Sequence, residues 1–92
     1  MNTKIQRQML ADLLCHRCNA SKSLSILERS VFFNSSLLEI FFGCRSSYYS
    51  QGKIDPDYIK SWLASNARSA GERGYLCDMI NELMAMPPQT VN

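Results

Sequence analysis

The sequence predicts a mainly helical protein, a compact single domain of four or five packed helices. Three observations carry that expectation. Apolar residues recur three and four positions apart in most segments, residues able to cap a helix stand at the heads of those segments, and no alternation of strand and helix is visible. Ninety-two residues hold one core rather than two, and such a chain buries roughly 60–65% of the surface it exposes when unfolded.

The first helix opens at Thr3-Lys4-Ile5-Gln6, a Thr-x-x-Gln capping box. Ile5, Met9, Leu10, Leu13 and Leu14 follow as one apolar stripe, and Asn19 is the expected stop. A second capping pattern, Ser25 to Glu28, heads a segment in which Leu24, Leu27 and Val31 share a face while Ile26 and Phe33 lie opposite. A segment apolar on both sides is a buried helix or part strand, so residues 24–53 leave open a short β ribbon and with it an α+β fold. The third pattern, Ser36 to Glu39, heads "SLLEIFFG", with Gly43 as its stop. "CRSSYYSQGK", Cys44 to Lys53, breaks the periodicity and reads as an exposed loop or ribbon.

Asp55 as N-cap with Pro56 at the first helical position starts the next helix, which turns Ile59, Trp62 and Leu63 inward. "SAGERG" reads as the break after it, with Gly71 and Gly74 free to take unusual backbone angles. "YLCDMINELMAM" carries Leu76, Met79, Ile80 and Leu83 on one side and Asp78, Asn81, Glu82 and Ala85 on the other. The last two helices are expected to pair as a hairpin around Trp62 and Leu76. Met86-Pro87-Pro88 ends the pattern, and residues 87–92 are expected to fray.

Four cysteines without a secretory h-region, and no membrane span in the apolar "LSILERSVFFNSSLLEIFFGC", suggest a cytoplasmic protein with reduced thiols. Net charge is +2, but residues 1–54 hold seven bases against three acids while residues 55–92 hold three against five. Such a split orients a small protein on a charged partner.

Chemistry is sparse. "LLCHRCNASKS" carries Cys15, His16 and Cys18, yet a structural zinc site needs four converging ligands. On a helix His16 points about 100° away from Cys15, onto the side of Ile5 and Met9. The favoured reading is a helix terminus that happens to carry thiols. His16 is the sole histidine, Asp55 and Asp57 suit a helix start, and no Gly-rich phosphate loop follows a strand, so no catalytic residues, metal or cofactor are expected. Binding is better represented. Arg45, Tyr48, Tyr49 and Lys53 combine contact area with polar tips, and Lys4, Arg7 and Arg17 give the first helix a basic side. In Phe32-Phe33 and Phe41-Phe42 adjacent rings cannot point the same way, so one of each pair is a candidate for an exposed apolar patch.

The whole chain, from "MNTKIQRQML" through "SSYYSQGKIDPDYIK" to "NELMAMPPQTVN", resembles the phage-encoded anti-CRISPR inhibitors of type I-F systems. Those inhibitors share no fold and no motif, so the resemblance assigns no individual residue. It implies a non-catalytic plug, acting in the host bacterial cytoplasm, that binds subunits of the crRNA-guided surveillance complex. Such inhibitors sometimes contact the guide RNA as well; target DNA binding or hybridisation is blocked, and no membrane or small-molecule substrate is involved. Two alternatives stand beside it. One is a small DNA-binding regulator using the 36–43 and 55–68 helices, against which count an eleven-residue link and two acids at the start of the second helix. The other is a zinc-stabilised interaction module using Cys15, Cys18, Cys44 and Cys77.

Overall fold

In the computed structural model, which describes residues 2–88, five helices each begin where a short polar side chain accepts from the free N–H groups of the first turn. Asn2 caps α1 (Thr3–Leu14), Asn19 caps α2 (Ala20–Glu28) and Asn34 caps α3 (Ser35–Gln51). Asp55 caps α4 (Pro56–Asn66), with Pro56 in its first turn, and Ser69 caps α5 (Ala70–Met84). No strand occurs among the described residues, so the fold is a helical bundle and the ribbon left open for the middle third does not form there. Of the expected frayed tail 87–92, residues 89–92 lie outside the described residues.

Several boundaries differ from the sequence expectation, each for a local reason. Gln6 is fully buried and not part of a capping box: its amide donates across to Ser30 Oγ (3.1 Å) and the Val31 carbonyl (2.9 Å). α1 stops at Leu14 rather than near Asn19, because His16 takes a left-handed φ of 57°. The His16 N–H then donates to Leu13 O and the Arg17 N–H to Asp12 O, the paired bonds of a Schellman terminus. Gly43 does not end α3, which runs on through "CRSSYYSQ" to Gly52, in left-handed conformation with φ 73°. Gly71 and Gly74 sit inside α5 with ordinary helical angles, and the break falls at residues 67–69.

One core joins all five helices, with Leu10 and Leu14 from α1, Leu27 from α2, Ile40 from α3, Ile59 from α4 and Ile80 from α5 almost wholly shielded from water. Each such side chain stabilises the fold by about 1.5–3 kcal/mol. The radius of gyration, 12.3 Å, is that of a compact chain of this length. The predicted inward residues of α4 and α5 hold, except that Trp62 is only half-buried and lies against Gly43 of α3. No helix is long and apolar enough to cross a membrane among the described residues.

The α3–α4 corner is built on small residues. A Cβ on Gly43 would lie 2.9 Å from Ile59 Cγ2, so the two helices cross with no room for a side chain. One turn later Ser47, fully buried, donates to the Lys53 carbonyl (2.7 Å) and accepts from the Asp55 N–H (2.9 Å). That hydroxyl satisfies both sides of the reversal that aims α4 back along α3.

Candidate docking face

Positions 42, 45 and 49 of α3 bring two aromatic rings and a guanidinium to the surface between Trp62 of α4 and Glu28 of α2, with Phe41 buried beneath them. Arg45 and Tyr49 are four residues apart and therefore stack on one helical stripe. The Arg45 guanidinium lies 5.0 Å from the Phe42 ring centre and 5.6 Å from that of Phe41, with Glu28 Oε1 3.5 Å away. Phe41 in turn stacks on Phe32, ring centres 5.4 Å apart. The cation–ring contacts contribute about 0.5–1 kcal/mol each and the exposed ion pair less, so their main effect is to hold the guanidinium in place.

Phe42, Arg45, Ser46, Tyr49 and Trp62 line a shallow concavity of about 290 Å³. Tyr49 forms a ridge: its other side faces a second hollow lined by Ser21, Leu24, Ser25, Glu28 and Tyr48. The Tyr49 ring is 73% exposed and stands edge-on to Tyr48 at 5.9 Å. Beneath the shelf the Ser46 hydroxyl bonds the Tyr58 hydroxyl (3.1 Å), and that bond, with one to Ser50, draws the Tyr58 pKa below its usual value.

The residues singled out in the sequence are thus divided. Arg45 and Tyr49 share the shelf, Tyr48 packs its ring against the core margin, and Lys53 stands apart in a small pocket with His16, Ile54, Asp55 and Pro56. Lys4 and Arg7 line a different groove on α1. Arg17 is engaged within the fold, donating to the Met86 carbonyl (2.8 Å) and facing Asp12 at 3.6 Å. Trp62 was not foreseen as a surface element, whereas one ring of the Phe32-Phe33 pair was. Phe33 is 83% exposed and Val31 64%, while Phe32 turns inward, the split expected of adjacent rings.

His16 is not beside Ile5 and Met9 on a helical face; it sits in the turn after α1, its Nε2 donating to the Ile54 carbonyl. Cys15 donates to the Met84 carbonyl (3.4 Å), Cys18 is exposed, Cys77 half-buried and Cys44 buried. Among the described residues no three His, Cys, Asp or Glu side chains converge on a point where a metal would sit. Burial, aided by the nearby Cys18 thiolate, pushes the Cys44 thiol from 9.0 up to about 12. The folded chain therefore keeps this proton between those values while the unfolded chain releases it, so stability falls as pH rises past 9. In the native state at pH 8, iodoacetamide is expected to label Cys18 first and spare Cys44. Peptide mass spectrometry checks this, and equal labelling of the two would contradict the burial.

Compared with protein-family models, with curated proteins and with solved structures, the chain finds no match.

Proposed function

We propose that the protein is a non-catalytic inhibitor that docks on the crRNA-guided surveillance complex of a type I-F CRISPR system and blocks target DNA binding or hybridisation. The resemblance of the whole chain to anti-CRISPR proteins supplies the identity of the partner. The observation that carries the docking role is the open shelf on α3, where Tyr49 and Trp62 flank an Arg45 already held over two rings. Aromatic side chains dominate interface energies because they bring large area with few rotamers to fix, and an arginine already held over rings has less freedom left to lose. Protein subunits are the main contact, and the guide RNA backbone is a suitable neighbour for the basic first half of the chain.

The test is direct. Purified protein should form a stable stoichiometric complex with the type I-F surveillance particle and abolish its binding of target DNA. Unchanged target binding at saturating excess would end the proposal. Within it, the Arg45→Ala/Tyr49→Ala pair should weaken docking by roughly 30-fold or more, about 2 kcal/mol for one central contact, with the helical CD spectrum intact. Full affinity in that variant would place the docking surface elsewhere.

A DNA-binding regulator gains one favourable observation. With α3 extended to Gln51, only residues 52–55 separate it from α4, the short Gly-bearing corner of a helix-turn-helix rather than the eleven-residue link read from the sequence. Charge opposes it: α4 opens on Asp55 and Asp57, and Lys60 donates to Asn81 of α5. Absence of a duplex DNA shift at low salt disposes of this reading.

A further inference from the structure

The start of α1 and the turn after α5 enclose a further concavity, about 390 Å³, lined by Lys4, Ile5, Arg7, Gln8, Met9 and Met86. Three of these six side chains are apolar, two are cationic and none is acidic. Gln8 forms a fixed part of the wall, its amide donating both to Asp12 Oδ1 (3.1 Å) and to the Pro87 carbonyl (3.0 Å). Asp12, the one acid of α1, is turned to Gln8 and Arg17. Neither Lys4 nor Arg7 forms an ion pair among the described residues. Among the described residues the groove therefore presents two positive charges with no acidic partner beside an apolar surface.

We propose that this groove binds a short acidic segment of a partner protein, one in which two or more carboxylates flank an aliphatic or aromatic side chain. The carboxylates meet Lys4 and Arg7, and the apolar side chain enters between Ile5, Met9 and Met86. Met9 and Met86 suit that role because unbranched thioethers adapt to side chains of differing shape. Nucleic acid is a poorer occupant, since no aromatic ring lines the groove for a base to stack on. A membrane surface is poorer still, because the apolar residues line a concavity and do not form a protruding face. The inference does not rest on the CRISPR reading: it concerns the chemistry of a bound segment, whatever assembly carries it.

The experiment is selection of a displayed library of random peptides, about 12 residues long, against the full chain, with the Lys4→Glu/Arg7→Glu variant panned in parallel. Lys4→Gln/Arg7→Gln serves the same comparison if charge reversal perturbs folding. Enriched peptides should carry at least two Asp or Glu within one helical turn of Leu, Ile, Met or Phe. A synthetic copy should shift the Met9 and Met86 methyl NMR signals and lose roughly tenfold or more in affinity for the variant. Four results would overturn the inference: no enrichment over the variant; enriched peptides without acids; methyl shifts confined to other regions; or stronger shifts from a single-stranded RNA or from anionic vesicles. Concentration-dependent shifts of the same methyls without peptide would assign the groove to a second copy. Shifts on deleting residues 89–92 would assign it to the chain's own end, and either outcome also rejects the proposal. Loss of surveillance-complex inhibition with peptide selection intact would count against the function proposed above and leave this one standing.

Discussion

Replacing Gly43 by Leu is expected to remove about 3 kcal/mol of stability, read as a fall in the urea midpoint at constant m. A Cβ here meets Ile59 Cγ2 at 2.9 Å, the Trp62 ring at 3.6 Å and Ile59 Cβ at 3.8 Å, before any longer side chain is placed. Ile59 is fully buried, and as a β-branched residue within a helix it has essentially one rotamer, so it does not swing aside. The relief has to come from α4 moving off α3, which opens the core at Leu63 and tilts Trp62 out of the shelf. Against a total stability on the order of 5–15 kcal/mol, that loss alone leaves a marginal protein. Gly43→Ala should lie between, because its clash is partly offset by about 1 kcal/mol of better helix propensity. A Leu variant as stable as the parent would mean that the two helices do not cross as closely as described.

Gln6→Glu should be at least as damaging near neutral pH, and its damage should fade in acid. The Gln6 side chain is shielded from water, its amide nitrogen donates to Ser30 Oγ and Val31 O, and its Oε1 has no partner among the described residues. A carboxylate there buries a charge and sets an oxygen against the Val31 carbonyl. The cost is on the order of 4 kcal/mol, with the carboxyl driven to hold its proton. Folding then favours the protonated form, so the charge penalty appears as pH rises above the ordinary Glu value near 4.3 and is lost below it, leaving only the cost of one missing donor bond. Thermal melts of the variant and parent across pH 4 to 8 measure the gap. A constant difference would show that the site is wetter than its burial indicates.

Where the sequence was legible, two independent signals coincided. Asp55-Pro56 fixed the start of α4, and Leu76, Met79, Ile80 and Leu83 marked the buried side of α5 without error. Elsewhere the capping patterns misplaced the boundaries although the apolar spacing agreed with them. Ser/Thr-x-x-Glu/Gln patterns drew the starts of α1, α2 and α3 to Thr3, Ser25 and Ser36, whereas asparagines at 2, 19 and 34 do the capping, a role for which they rival serine. Residues 44–51 looked like a loop because they lack a broad apolar stripe. The helix they form needs none, since Gly43 and Ser47 let α4 approach so closely that small residues fill the contact. The candidate site was half legible for the same reason. Arg45 and Tyr49 were visible by residue type, but their shared stripe, and the separation of Lys53 from it, depend on that stretch being helical. Trp62 gave no sign of being part of the surface, because a lone tryptophan on an apolar face reads as core.

The bonds from Gln8, Cys15 and Arg17 to the carbonyls of residues 84–87 have a consequence for how the molecule is made. On the ribosome α1 emerges before α5, so the helix that covers its apolar side arrives only after α2, α3 and α4. Loop-closure entropy rises only slowly with length, so the delay is set by synthesis and not by the search. Until that moment Leu10 and Leu14 lack their final neighbours, and the nascent chain is open to chaperone capture or aggregation until α5 docks.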